Sequence, residues 1–331
     1  MNKKHIARIA CFAAMMLVAC VFVAAPAANQ ATQTPTEQPG VTETSPIPSE
    51  THIASKTTAT PSEPTDAVET NTAPTEPPVA TKTPIVDIGS PWVRPADGMV
   101  MVYVPEGEFT MGSSNGDPDE QPVHQVFLDA YWIDQTEVTN GKYMLCVQAG
   151  GCKPRNDSGS KSRSNYYGNS EYGDYPVVYV NWNDAQAYCA WAEARLPSEA
   201  EWEKAARGTD GRIYPWGNND PTCNLANLWP GESSCVGDTS PVGSYQAGAS
   251  PYGALDMAGN LWEWVADRYD QSYYSQSPSS NPTGPNSGKY HVLRGGSWVD
   301  LGVGVRSSRR FGNANEGMIG YIFGFRCVLS Q

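Results

Sequence analysis

Arg294-Gly295-Gly296-Ser297-Trp298, followed near the end of the chain by Gly324-Phe325-Arg326-Cys327, is the stretch whose reading decides the fold. Working outward, two upstream runs are helix openings. Val180-Asn181-Trp182-Asn183-Asp184-Ala185 leads into a segment with Ala185, Tyr188, Cys189 and Ala192 at helical spacing. Arg195-Leu196-Pro197-Ser198-Glu199-Ala200-Glu201-Trp202-Glu203 contains Ser198 and Glu201 in the S-x-x-E arrangement, in which each side chain satisfies the other's exposed amide; Trp202, Ala205 and Ala206 form its apolar face. A further helix starts at Thr139, with Tyr143, Cys146 and Val147 on one side, and stops at Gly150-Gly151. Val100 to Pro105, Glu108 to Gly112 and Gln125 to Ile133 read as strands. Beyond Gly208 periodicity fades, and only short apolar runs such as Tyr290 to Leu293 remain.

Composition divides the 331 residues into three parts. In residues 1–28, Lys3, Lys4 and Arg8 precede an almost continuously apolar run from Ile9 to Ala28, a pattern that predicts export. Three endings are open. Leu17-Val18-Ala19-Cys20 resembles a lipobox that would put a lipid on Cys20, Ala25-Pro26-Ala27 is an ordinary cleavage site, and the uncleaved run is an anchor. Residues 29–91 are a Thr/Pro/Glu/Ser tract with no aromatic residue and no cysteine, too poor in apolar side chains to offset chain entropy. Fully stretched, such a stalk reaches about 190 Å. All ten tryptophans fall in residues 92–331, the globular domain. The formal charge of −13 repels a phosphate backbone, so nucleic acid is excluded as a partner, and the membrane is met only through the N-terminal segment.

Cys11 and Cys20 lie in the export segment, leaving Cys146, Cys152, Cys189, Cys223, Cys235 and Cys327 in the domain. An even set in an exported chain predicts three bridges, with fifteen pairings open. Locality favours Cys146–Cys152 and Cys223–Cys235, and Cys189–Cys327 then remains.

Eight segments occur in a fixed order: Val104 to Gly112, Thr136 to Asn140, the two helix openings, Tyr214-Pro215-Trp216-Gly217, Asp256 to Trp264, and the two terminal runs. Together they resemble the formylglycine-generating enzyme (sulfatase-modifying factor) family, from about Met99 to Cys327. The resemblance implies an irregular α+β fold related to C-type lectins, low in regular secondary structure and stabilised by disulfides and calcium. It also implies the Cys189–Cys327 pair. Calcium would be structural and held by two loops. The first is Asn227 with the Leu228 carbonyl, Asp238 and the carbonyl of Ser240; the second is Glu263 with the carbonyls of Gly259 and Leu261. Hard oxygen donors of this kind suit calcium.

The family's oxidases hold copper(I) between two cysteines placed just after the Gly-Gly-Ser-aromatic turn. Counted without gaps, those places are Asp300 and Val305, and no cysteine occurs between Ser297 and Gly324. A soft ion needs soft ligands, so no copper is expected. His124 and His291 are the domain's two histidines, too few for the histidine-rich iron site of the sulfoxide synthases that share the fold. The expectation is a non-oxidase binding module for a peptide, protein or glycan. Its groove would be lined by Ser297, Trp298, Asp300, Arg306, Arg309 and Arg310, with Trp216 beside it. The alternative is a formylglycine-generating oxidase that converts a sulfatase cysteine through a divergent centre.

Overall fold

Ser198 behaves as its sequence predicts. In the computed structural model, which describes residues 87–155 and 157–331, its hydroxyl accepts from the Glu201 amide at 3.2 Å and the Glu201 carboxylate accepts from the Ser198 amide at 2.7 Å. This capping box opens α3 (Glu199–Arg207), which Gly208 ends at φ +67°. Thr139 caps α1 (Asn140–Gln148) by accepting from the Lys142 amide. Asn181 and Asp184 form a second capping box at the start of α2 (Trp182–Trp191). The export segment with Cys20, the cleavage site at Ala25-Pro26-Ala27 and residues 29–86 of the Thr/Pro-rich tract lie outside the described residues.

Among the described residues, ten strands make two four-stranded sheets and a hairpin. The first sheet runs β1 (Pro91–Val93), β2 (Val100–Val104), β5 (Tyr131–Asp134), β10 (Val328–Ser330), antiparallel throughout. The hairpin pairs β3 (Gly107–Met111) with β4 (His124–Leu128). The second sheet runs β8 (Arg310–Asn315), β7 (Tyr290–Arg294), β6 (Trp262–Arg268), β9 (Phe323–Phe325), with β9 parallel to β6. The single strand expected from Gln125 to Ile133 is two. The chain changes partner at Asp129-Ala130, where the side chain of Asn281 accepts from the Asp129 amide, so β4 serves the hairpin and β5 the first sheet.

Trp202, Ala205 and Ala206 of α3 pack with Phe109, Val126 and Ile133 into one apolar core. A second core joins Tyr143, Tyr188 and Cys189 of the other helices to Trp264 and Phe325 of the second sheet. All three disulfides form as expected: Cys146–Cys152, Cys189–Cys327 and Cys223–Cys235. Closing the long Cys189–Cys327 loop restricts the unfolded chain by about 4 to 5 kcal/mol in the chain-entropy treatment. Between Gly208 and β6 no strand or α-helix forms, and the Cys223–Cys235 bridge closes the middle of that irregular stretch.

The charged face of α3 is buried as well. Arg294 donates to Glu199 at 3.1 Å, to Glu203 at 2.6 Å and to the carbonyls of Ser307 and Ser308. Arg310 donates to both oxygens of Glu199 at 2.6 and 2.9 Å. Burial alone would push the Glu199 carboxyl up, but the two guanidiniums win and hold it below its ordinary range. Forked, charge-assisted contacts of this kind are what make a buried arginine tolerable.

Candidate functional site

The Gly-Gly turn is required by its surroundings. Gly295 sits at φ +95° and Gly296 at φ +72°, and a Cβ on Gly296 would lie 2.7 Å from both the Gly304 carbonyl oxygen and Val305 Cγ1. The turn delivers Ser297 into the interior, where its hydroxyl and amide donate to Asp300 Oδ2 at 2.6 and 2.9 Å. Trp262 Nε1 donates to the same oxygen at 2.9 Å. Burial pushes the Asp300 carboxyl up despite these donors. Val305 is fully buried beside Tyr214 and Leu228. The two places where the family's oxidases carry thiols therefore hold a carboxylate that braces the turn and a packed isopropyl group. Every cysteine among the described residues is in a disulfide. This donor set does not fit copper(I), which needs thiolates.

Beside the turn a cavity of about 450 Å³ opens, lined by Asp117, Val299, Leu301, Val303, Arg306 and Arg309 together with Asp300 and Gly304. Its lip is apolar, since Leu301 is 54% and Val303 67% exposed. Trp229, also exposed, is tied to it by its backbone N–H, which donates to the Asp300 carbonyl at 2.9 Å. Arg306 reaches the cavity but is forked onto Glu120 at 2.6 and 2.8 Å, and Arg309 is paired with Asp117.

Three expected groove residues are elsewhere. Arg310 is buried on Glu199 because α3 needs its charge neutralised. Ser297 is buried because Asp300 takes its hydroxyl. Trp298 is buried, packed near Tyr321. Trp216 stacks on Tyr214 at 5.1 Å near the Val305 cluster and does not line the cavity. Asp117, Val299, Leu301 and Val303 were missed. The first lies far away in sequence, and the others form an irregular loop with no period to read. A larger cavity of about 560 Å³, also unforeseen, lies between the β4–β5 turn, α2 and the C-terminus, with the Arg195–Glu201 pair in its wall.

The two expected calcium loops touch: the Asn260 amide donates to the Asn227 carbonyl at 2.8 Å, and a Cβ on Gly259 would lie 2.3 Å from that same oxygen. In the first loop, Asn227 Oδ1 is buried and accepts nothing, as a ligand oxygen would be. The Leu228 carbonyl accepts from the Cys235 amide, however, and the Asp238 carboxylate is filled by Ser160, Ser162, Thr239 and Arg163. Burial works against the Asp238 charge, but those donors prevail and hold its pKa below the ordinary range. Ser240 is fixed by its amide, which donates to Asn260 Oδ1.

In the second loop, fully buried Leu261 leads to Glu263, both of whose oxygens are taken, by Arg326 at 2.7 and 2.7 Å and by Trp202 Nε1 at 2.8 Å. Glu263 thus anchors the Gly-Phe-Arg-Cys arginine. The better oxygen donors are two residues the sequence did not single out, Glu137 and Asp256. Asn260 Nδ2 donates to Glu137 Oε1 at 2.9 Å, while Glu137 Oε2 is buried without a partner. Asp256 accepts from the Gly243 amide at 2.6 Å. Burial pushes both carboxyls up; the charges of Asp256 and Glu263 add to it at Glu137, while at Asp256 the Gly243 amide, Arg326 and a hydrogen bond with Glu137 oppose it without winning. A hard cation suits such a set.

Residues 91–331 match the sulfatase-modifying factor enzyme 1-like domain. The formylglycine-generating enzyme of Streptomyces coelicolor is 34% identical over 290 residues, covering 72% of this chain and 91% of that protein. The serine/threonine-protein kinase pkn1 of Chlamydia caviae is 38% identical over 241 residues, 69% of this chain, and the chain spans only 37% of that relative's length. Among solved structures, PvdO from Pseudomonas aeruginosa superposes with a TM-score of 0.63 at 29% identity, over 75% of this chain and all of that one. With its three bridges, few helices and this likeness, the domain has the C-type-lectin-related fold of these proteins. The chain belongs to the sulfatase-modifying factor (formylglycine-generating enzyme) family.

Proposed function

We propose that this chain is a non-oxidase binding module of its family, whose apolar-lipped cavity beside the Gly-Gly-Ser-Trp turn takes an extended polypeptide. The observation that carries the reading is the replacement of the thiol pair by Asp300, locked to Ser297 and Trp262, and by buried Val305. Exposed Leu301, Val303 and Trp229 supply apolar contact area, while the arginines at the rim are already neutralised and act as its walls. A glycan ligand would favour open polar donors, which this rim lacks.

Export belongs to the same proposal. Disulfides persist in oxidising compartments, and the basic-then-apolar leader and Thr/Pro-rich tract suit a domain tethered outside the cell, through a lipid on Cys20 or the N-terminal run, or released by cleavage. Among the described residues no helix is long and apolar enough to cross a membrane. Structural calcium is proposed around Glu137 and Asp256, where Glu137 Oε2 is buried without a partner.

The alternative, formylglycine generation by a divergent centre, is favoured by the 34% identity to the Streptomyces enzyme. One experiment separates the two. The purified chain is titrated with copper(I) and then incubated with oxygen and a Cys-x-Pro-x-Arg peptide. The binding reading expects no tight copper and no peptide aldehyde; stoichiometric copper with aldehyde formation overturns it.

A further inference from the structure

The first expected calcium loop already carries a cation of its own. Arg163 lies on the segment facing this loop, and its guanidinium meets Asp238 Oδ2 at 3.1 Å, Thr239 Oγ1 at 3.3 Å and the Thr239 carbonyl at 3.2 Å. It also lies over three tyrosine rings, Tyr175 at 4.9 Å, Tyr172 at 5.4 Å and Tyr166 at 5.9 Å, an arrangement that favours positive charge. The rest of the Asp238 carboxylate is equally occupied. Oδ2 accepts from Ser160 Oγ at 2.6 Å, Ser162 Oγ at 2.7 Å and the Ser162 amide at 2.8 Å, and Oδ1 accepts from the Thr239 amide at 2.8 Å.

A carboxylate has about four lone-pair sites, and here five donors compete for them. A calcium ion bound to Asp238 would displace these donors and would sit against a fixed guanidinium of the same sign. Calcium also needs six to eight oxygens, and the Leu228 carbonyl is committed to the Cys235 amide. We propose that Arg163, seated in its tyrosine cage and assisted by Ser160 and Ser162, replaces calcium at this loop, so that residues 222–242 are held without metal. The inference narrows the calcium part of the functional proposal to the Glu137 and Asp256 region and is independent of the ligand part.

The test is hydrogen exchange of the full chain in oxidising buffer, followed by mass spectrometry on peptides covering 157–165 and 236–242, with calcium content measured on the same samples. In the unaltered chain, EDTA should change exchange in these peptides by less than about twofold. Arg163→Gln, which removes a hydrogen-bonded charge from a buried partner, should accelerate it about tenfold or more, with calcium present or absent. Arg163→Lys keeps the charge and loses the fork, and it should fall between; it also serves where the Gln variant fails to fold. If EDTA opens 236–242 in the unaltered chain as far as Arg163→Gln does, or if the Gln variant exchanges at the original rate, the proposal is overturned. A chain that holds no calcium at all removes the Glu137 and Asp256 proposal but leaves Arg163 in its role.

Discussion

Replacing Arg326 by methionine should be the most damaging single change in the terminal motif. Its guanidinium donates twice to Glu263 at 2.7 Å and once each to the carbonyls of Asp134, Gln135 and Leu255, and both charged groups are fully buried. Methionine fills much of the volume but strands the carboxylate, a loss of about 3 to 5 kcal/mol for a broken buried pair. Gln135 keeps the Leu255 amide as a donor, so two carbonyls are left short, at about 1 kcal/mol each. The total is about 5 to 7 kcal/mol, and for a domain of this size each kcal/mol moves Tm by about 2 to 4 °C, so a fall of roughly 10 to 28 °C is expected. Calorimetry in oxidising buffer reads the shift. Adding Glu263→Gln removes the stranded charge while keeping an acceptor for Trp202 Nε1, and should restore about 2 kcal/mol. A loss below about 2 kcal/mol for the single variant, or a double variant less stable than the single, would refute the assignment of this pair as a charge staple.

Metal-free protein should gain stability on mild acidification. Burial raises the carboxyls of Glu137, Asp256 and Asp267, and takes Asp134 up to about 6. The native state therefore binds more protons than the unfolded chain above the ordinary carboxylate range, and stability falls as pH rises out of that range and through about 6, where Asp134 ionises. Melting curves in EDTA should show this slope, and Glu137→Gln should flatten it. Gly296→Ala should cost at least about 1 to 3 kcal/mol, from left-handed backbone together with the contacts at 2.7 Å, as read by urea unfolding. Leu301→Asp and Val303→Asp, on the exposed lip, should leave stability within about 0.5 kcal/mol while abolishing capture of any polypeptide selected from a peptide library. Equal binding by those variants would place the ligand elsewhere.

The helix caps at Thr139 and Ser198 and the apolar faces behind them were legible because their signals are local and periodic. Local cysteine spacing favoured two of the bridges, and the third remained. Arg310 misled for a definite reason: an arginine near a turn reads as exposed, and nothing in the sequence says that α3 buries Glu199 beneath it. Glu263 hides its setting similarly, since a carboxylate flanked by tryptophans does not announce that Arg326, supplied by the far end of the chain, lies against it. Arg163 carried no motif at all. Its role arises only when the 157–167 segment folds against Thr239, a contact between residues 76 apart. Long-range charge pairing, rather than propensity, is what the linear pattern conceals here.

The first and last strands of the domain lie in one sheet, with only β2 and β5 between them, so the chain enters and leaves within about 15 Å. A unit wired this way needs no threading to join another protein. Spliced into a longer chain or hung from a tether, it makes one attachment zone and keeps its loops available. That geometry suits a family whose recognisable unit is a minor fraction of one relative and nearly the whole of another.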